Sequence, residues 1–311
     1  MNVLVLLPVD DAQRERLEAA APEASFIYAD QRAVAPEQVA EAEVIVGNLA
    51  PARLVEAPRL RFLQLHSAGY DNYVTAPMAT GARVACASGA YGQAVSEHML
   101  AMVLSQIKRL PSYHDDQHAH TWTDEGSVTT LRGSSVLVLG AGDIGTHFAD
   151  LASALGARVT GVRRTPVEAR APFERMATME DLPALLPEAD VVVAFLPSTP
   201  ETRGLADAEF FGAMKPGSYF ANGGRGDLVV TEDLIEALES GHLAGASLDV
   251  TNPEPLPADH PLWETPGALV TPHVSGWFHL AVTLDNIVGI AAENLRRLQA
   301  GEELRNLVRV A

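Results

Sequence analysis

Three side chains of the kinds that hold anions and move protons occupy similar settings in the second half of the chain. Arg225 lies in Asn222-Gly223-Gly224-Arg225-Gly226, just after an apolar run at 218–221. Glu254 lies in Asp249-Val250-Thr251-Asn252-Pro253-Glu254-Pro255, after a run that ends at Asp249. His273 lies in Thr271-Pro272-His273-Val274-Ser275-Gly276-Trp277, after a run at 268–270. A guanidinium forks onto a carboxylate or phosphate, and an imidazole exchanges its proton near neutral pH because its ordinary pKa is about 6.5. Taken singly, each has an everyday use: a satisfied core histidine, a solvated loop acid, a capping arginine. Taken together, past the ends of three strands, they read as a catalytic group, since doubly wound sheets place their ligands there.

A fourth pattern gives that group a cofactor. The run Ser135-Val136-Leu137-Val138-Leu139 leads into Gly140-Ala141-Gly142-Asp143-Ile144-Gly145 and then a helical stretch. Gly-x-Gly-x-x-Gly between a strand and a helix is the dinucleotide fingerprint. Gly140 makes the tight turn, Gly142 admits a pyrophosphate, and Gly145 lets helix and strand pack closely. Backbone amides around Asp143 and Ile144 would face the phosphates. The next strand, 158–162, runs into Arg163-Arg164-Thr165 with no carboxylate. An NAD site carries an acid there for the ribose 2′-hydroxyl, whereas two guanidiniums and a hydroxyl suit a 2′-phosphate. NADP is therefore preferred over NAD.

These sites need a scaffold, and the alternation of apolar runs with helical patterns supplies one. Residues 1–7, 25–28, 44–46, 62–65 and 83–87 read as strands, with helices at 12–20 and 36–41 between them. A single helical stretch from 92 to about 117 leads to a second block with strands at 135–139, 158–162, 191–195, 218–221, 245–249 and 268–271. Residues 280–300 form one further helix by their apolar spacing. Such alternation implies an α/β chain with two doubly wound parallel-sheet lobes.

Composition narrows the function classes. With 311 residues, 47% hydrophobic and 20% charged, the chain belongs with two-domain globular proteins. No apolar run approaches the roughly 20 residues of a membrane span, and a secretory leader is not expected in residues 1–7. Cys86 is the only cysteine, so no intrachain disulfide is possible and a cytoplasmic setting is expected. A net charge of −18 repels nucleic acid and anionic membranes. Attraction of an anionic substrate must then come from a local arginine. His114, His118 and His120 include a pair at i and i+4 that could hold a metal; helical spacing alone is common, and no metal is expected.

The combination of Gly140-x-Gly142-x-x-Gly145, Asn222-x-x-Arg225-Gly226, Asp249-Val250-x-x-x-Glu254-Pro255 and Thr271-Pro272-His273 resembles the D-isomer-specific 2-hydroxyacid dehydrogenases over essentially the whole chain. The resemblance implies a Rossmann dinucleotide-binding lobe, residues 99–280, inserted in a flavodoxin-like substrate lobe, residues 1–98 and 281–311. It also implies an interdomain cleft, usually a homodimer, and a hydride transfer between NADP(H) and a small 2-oxo or 2-hydroxy acid. His273 would be the acid and base, Glu254 would fix its tautomer and favour its protonated form, and Arg225 would polarise the carbonyl and hold the substrate carboxylate. Ser67, Ala68 and Gly69 match a loop whose amides hold that carboxylate, and Asp249 matches a position beside the cofactor's nicotinamide amide. Glu97-His98 matches a helix-packing segment. Tyr70 and Trp277 adjoin matched segments, and Trp277 is bulkier than common members carry there. Glu254 argues against a formate dehydrogenase, which carries an amide beside the histidine. The absence of a regulatory-sized extension after Ala311 argues against a long phosphoglycerate dehydrogenase. A phosphite-type dehydrogenase and a dinucleotide-sensing corepressor stay open. Among oxo acids, glyoxylate and hydroxypyruvate lead.

Overall fold

The computed structural model describes all 311 residues. In chain order the first elements are β1 (Asn2–Val5), α1 (Asp11–Ala20), β2 (Ser25–Tyr28), α2 (Pro36–Glu41), β3 (Val44–Val46), β4 (Phe62–Gln64) and β5 (Arg83–Ala85). Then come α3 (Gly92–Ile107), α4 (Leu110–Ala119), β6 (Ser135–Leu139), α5 (Asp143–Ala154), β7 (Arg158–Arg163) and β8 (Arg175–Thr178). The remainder is α6 (Leu182–Leu185), β9 (Val191–Ala194), α7 (Ala208–Ala213), β10 (Ser218–Asn222), α8 (Thr231–Glu239), β11 (Leu243–Leu248), β12 (Ala268–Val270), α9 (Ala281–Ala300) and β13 (Leu307–Val310).

One compact unit comprises Met1–Tyr91 and Phe278–Ala311. Its sheet runs β13-β5-β4-β3-β1-β2, parallel except for β13, which pairs antiparallel with β5. The five parallel strands follow the flavodoxin-like order. Strand residues Leu4, Ile45, Leu63 and Val84 meet Leu54 and Tyr73 in its core. Helix α1 begins with a capping box: the Asp10 carboxylate accepts from the Gln13 amide at 2.8 Å, and Gln13 returns the bond at 3.1 Å. The returning segment is fastened by Asn294 on α9, fully buried, whose Nδ2 donates to Gln64 Oε1 at 2.7 Å and to the Arg305 carbonyl at 3.0 Å.

The second unit is Gly92–Trp277. Its sheet runs β12-β11-β10-β9-β6-β7-β8, all parallel, the Rossmann order with one added strand. The strand order reverses between β6 and β9, the switch point outside which such sheets bind ligands. Near-continuous apolar strands such as Val191-Val192-Val193-Ala194, buried throughout, are what helices on both faces require.

Three features differ from the sequence-based expectation. The unit boundaries fall at 91/92 and 277/278, against the expected 98/99 and 280/281. Helix α3 packs on α5 from its first residue, where a side chain on Gly92 would run into the His147 ring. The expected helix from 92 to 117 is two helices: Arg109 turns left-handed at φ 54°, and Pro111 in the first turn of α4 cannot continue a hydrogen-bonded ladder. Strands β8 and β13 went unread because both are short edges with polar residues among the apolar ones. No helix is long and apolar enough to cross a membrane.

Candidate active site

The carboxyl ends of β10, β11 and β12 deliver the three polar side chains to one neighbourhood of the second unit. After β10 the chain turns through Asn222, whose Nδ2 donates to the Arg225 carbonyl at 2.8 Å while its Oδ1 accepts from the Gly224 amide at 3.0 Å. The fully buried asparagine thus shapes the loop that carries Arg225. The Arg225 guanidinium donates to the Gly224 carbonyl at 2.8 Å. A Cβ on Gly226 would fall on the Thr251 carbonyl, so only glycine lets the Arg225 turn lie against the segment leading to Glu254.

Glu254 and His273 meet directly. The imidazole Nδ1 lies 2.9 Å from Glu254 Oε2, and Oε1 of the same carboxylate accepts from the Thr251 amide at 3.0 Å. The hydrogen bond to Glu254 raises the His273 pKa above its ordinary value; burial and the Arg225 charge oppose it, and the charges of Glu254 and Asp249 add to it. Burial pushes the Glu254 carboxyl up, but the bond and charge of His273, the Thr251 amide and Arg225 together hold it below its ordinary range. A carboxylate on Nδ1 leaves Nε2 as the ring nitrogen that can offer or accept a proton. Half of the His273 side chain is exposed, so a solute can reach it.

His273 holds an unusual backbone, left-handed at φ 51°, a conformation that costs a non-glycine residue about 1 kcal/mol or more. The restraint is Asp249, 1% exposed at the end of β11. Its Oδ1 accepts from Thr271 Oγ1 at 2.6 Å and the Val274 amide at 3.0 Å. Its Oδ2 accepts from the Ser275 amide at 3.1 Å and from the Ser275 hydroxyl. The Asp249 carbonyl accepts from the His273 amide at 2.8 Å. Both carboxylate oxygens of Asp249, the residue expected beside the cofactor, thus bond to the loop on either side of His273. His98, read as a packing residue of α3, joins the same cluster through Nε2, 3.0 Å from Thr271 Oγ1. Sequence reading missed Thr271 and Ser275 in this role, although both flank His273 in the quoted segment.

The glycine motif sits where a dinucleotide requires it. A Cβ on Gly145 would overlap the Gly140 carbonyl, so glycine there permits the close approach of α5 to β6. The space over Gly142 is open, and no side chain caps α5 at Gly142. The first-turn amides at Asp143 and Ile144 are therefore left for an anion, and the residues fit a pyrophosphate. Arg163 ends β7, and Arg163, Arg164 and Thr165 are all exposed. Arg164 has an acidic neighbour that sequence reading overlooked. Glu201 is held below its ordinary pKa first by the Thr199 hydroxyl and in part by the Arg164 charge.

Ser67, Ala68 and Gly69 belong to the first unit, in the loop after β4. The Ser67 hydroxyl is committed: it donates to the Gly69 carbonyl at 2.6 Å and accepts from Asn48 Nδ2 at 3.0 Å. The Ala68 and Gly69 amides donate to no group of the protein. Elsewhere, His114 and His118 meet at 3.1 Å between Nε2 atoms on exposed α4. No cluster of three or more His, Cys, Asp or Glu side chains converges to hold a metal. Cys86 is buried, with its thiol pushed up by that burial.

Comparison with known proteins places this geometry. A two-lobed α/β chain with a Rossmann lobe and an acid–histidine pair at its carboxyl strand ends has the plan of a dinucleotide-dependent oxidoreductase. The model of the D-isomer specific 2-hydroxyacid dehydrogenase NAD-binding domain matches residues 100–275, and the chain belongs to that family. A D-isomer specific 2-hydroxyacid dehydrogenase from Xanthobacter autotrophicus Py2, solved in complex with NADPH and MES, is 31% identical over 99% of this chain and 98% of that one, with a TM-score of 0.81. Glyoxylate/hydroxypyruvate reductase A of Photorhabdus laumondii is 35% identical over 212 residues, 68% of this chain and 66% of that protein. D-3-phosphoglycerate dehydrogenase of Mycobacterium tuberculosis is 34% identical over 304 residues, 97% of this chain and 54% of that protein. The chain therefore spans about half the length of that relative.

Proposed function

We propose that the protein reduces a small 2-oxo acid to the D-2-hydroxy acid with NADPH. The observation that carries this reading is the His273–Glu254 bond of 2.9 Å at the strand ends of the Rossmann sheet, with Arg225 near enough to perturb both groups. A bound reduced nicotinamide would supply the hydride. His273 would hold a proton on Nε2 for the oxygen that becomes the hydroxyl, and Glu254 would favour the protonated imidazole and orient it. Arg225 would bind the carboxylate and stabilise charge on the reacting carbonyl oxygen. The Ala68 and Gly69 amides, with the loop fixed by Ser67, would take the carboxylate from the substrate unit.

The first-turn amides of Asp143 and Ile144, above Gly140, Gly142 and Gly145, would receive the pyrophosphate. Arg163, Arg164 and Thr165 would receive the 2′-phosphate, which favours NADP over NAD. Asp249 would hold the His273 loop and lie beside the nicotinamide amide. The named activity of the Photorhabdus relative supports glyoxylate and hydroxypyruvate as substrates. We read the chain as a cytoplasmic homodimer. Exposed Leu110, Tyr113, Trp122 and Val128 lie close together in sequence around α4, which buries no residue of its own.

The test is a plate of glyoxylate, hydroxypyruvate, pyruvate and a branched 2-oxo acid, each followed by loss of NADPH or NADH absorbance. Oxidation of NADPH by at least one acid, faster than of NADH, is the expected result. Silence with every pair despite tight dinucleotide binding would refute the reaction class. Faster oxidation of NADH would refute the cofactor assignment alone.

A further inference from the structure

Helix α3 turns one face toward the strands that precede His273. His98, Met102 and Gln106 recur every four residues and therefore share that face. Gln106, at the far end, donates from Nε2 to the Ala246 carbonyl at 3.0 Å and to the Gly267 carbonyl at 2.8 Å. Ala246 lies on β11 and Gly267 just before β12, so the helix is pinned beside both strands. His98, at the near end, brings Nε2 to 3.0 Å from Thr271 Oγ1, and Met102 Sδ lies 3.6 Å from the same oxygen. The neighbours fix the direction of the His98 bond. Thr271 has one hydroxyl proton, and the Asp249 carboxylate at 2.6 Å takes it in preference to a thioether at 3.6 Å. An oxygen that has given its only proton to one partner accepts from the next. The proton of the contact therefore sits on His98 Nε2, which also lies 3.7 Å from Asp249 Oδ1. A chain of bonds results: His98 N–H to Thr271 Oγ1, Thr271 O–H to Asp249 Oδ1, and the Val274 amide to that same Oδ1. His273 stands between Thr271 and Val274, so both sides of its left-handed backbone hang on this chain.

We propose that His98 is a positioning residue for His273: its Nε2–H aims the Thr271 hydroxyl at Asp249 and so keeps the imidazole in place against Glu254. This rests on the reading of His273 as the proton carrier, and it adds a second histidine, on a different element, to that site. His98 acts through Thr271 and Asp249. Without the donor, the Thr271 hydroxyl is free to turn away from Asp249, and the residues before His273 lose their tie to the rigid helix. A small displacement of a proton-transferring group slows the chemical step while leaving capture of the dinucleotide and the oxo acid largely intact. For one hydrogen bond between neutral or singly charged partners, the expected loss is about tenfold in kcat, with little change in KM.

The experiment compares the intact protein with His98→Leu, His98→Gln, Thr271→Val and the double variant H98L/T271V. Leucine fills the space and donates nothing, glutamine restores an N–H at similar reach, and valine keeps the shape of threonine without its hydroxyl. With NADPH and the best oxo acid, kcat should fall about tenfold in H98L and return to within about threefold in H98Q. The double variant should be no slower than T271V, because bonds in series are not lost twice. NMR titration of the His273 ring, its signal identified by its absence in His273→Gln, supplies a second readout. The pKa that the Glu254 bond raises should drop toward the ordinary histidine value in H98L and recover in H98Q. A packing role alone would lower the melting temperature and move neither readout. Unchanged kcat and His273 pKa in H98L, equal losses in H98L and H98Q, or additive losses in the double variant would each overturn the proposal. If the intact protein reduces none of the oxo acids, the reductase reading fails, and the titration still decides this one: a His273 pKa unmoved in H98L overturns it, and one lowered there and restored in H98Q upholds it.

Discussion

Replacing Asp249 with asparagine is the sharpest probe of how His273 is held. The two side chains have the same shape, so the perturbation is electrostatic. Asp249 Oδ1 receives Thr271 Oγ1 and the Val274 amide; Oδ2 receives the Ser275 amide and hydroxyl. Whichever oxygen becomes NH2, one backbone N–H is left facing another donor. The Thr271 or Ser275 hydroxyl can rotate to accept, but neither amide can. A charge-assisted bond lost in a buried site costs about 1.5–3 kcal/mol, so we expect D249N to lose roughly 3 kcal/mol, with relief of the left-handed His273 backbone returning about 1 kcal/mol at most. For a unit of 186 residues, counted from Gly92 to Trp277, the net loss of about 2–3 kcal/mol corresponds to a fall in Tm of about 4–12 °C. Once the loop relaxes, the ring drifts from its place and kcat should drop about a hundredfold. Thermal unfolding, NADPH titration and steady-state kinetics on the same preparation check all three. Unchanged melting with much weaker NADPH binding would refute the reasoning and return Asp249 to the cofactor.

Three further outcomes follow from the same site. Glu254→Gln removes the bond that raises the His273 pKa, so the decline of reductive kcat/KM with rising pH, which tracks loss of the imidazolium, should begin at lower pH. In the intact protein the stabilising effect of the raised His273 is fully present below the ordinary histidine pKa and fades as pH rises through the raised value. That of the lowered Glu254 fades as pH falls through its depressed value. A pH profile that does not move in E254Q would separate the two residues. Neutralising Arg163 and Arg164 together should weaken NADPH far more than NADH, by tenfold or more at roughly 1.5 kcal/mol per lost charged bond; equal losses would show that the pair does not read the 2′-phosphate. His273→Gln should cut turnover by about a hundredfold to ten-thousandfold with dinucleotide affinity retained, and preserved turnover would remove it from the chemistry.

The sequence exposed those parts of the fold in which chemistry and periodicity coincide. Val191-Val192-Val193-Ala194 could only be a strand covered on both faces, and Gly140-x-Gly142-x-x-Gly145 could be placed between β6 and α5 by its flanks. The edges escaped because an edge strand need bury only part of itself. Leu307-Val308-Arg309-Val310 is half polar in environment and pairs antiparallel against the grain of its sheet. The break at Arg109 was hidden because Leu110-Pro111 is compatible both with a continuing helix's composition and with a new helix's first turn. In the site, the residue types that carry the proposed chemistry were legible one at a time, but their supports were not. Asp249 looks the same in sequence whether it meets a cofactor or the backbone of residues 274 and 275.

The division of the first unit between Met1–Tyr91 and Phe278–Ala311 sets an order of events during synthesis. When Trp277 leaves the ribosome, every strand of the seven-stranded sheet exists and that unit can close. Residues 1–91 must wait for α9, for the Asn294 bridge to Gln64, and for β13 along the open side of β5. At ribosomal rates of about 5–20 residues per second, the missing segment takes seconds to arrive. Through that interval β5 presents an unpaired edge, a template for pairing with another chain. Arg83, on β5 itself, puts one charge on that waiting edge, a feature by which edges resist such pairing. A chain ending at Trp277 should therefore yield a folded nucleotide unit carrying an unfolded, aggregation-prone amino-terminal third.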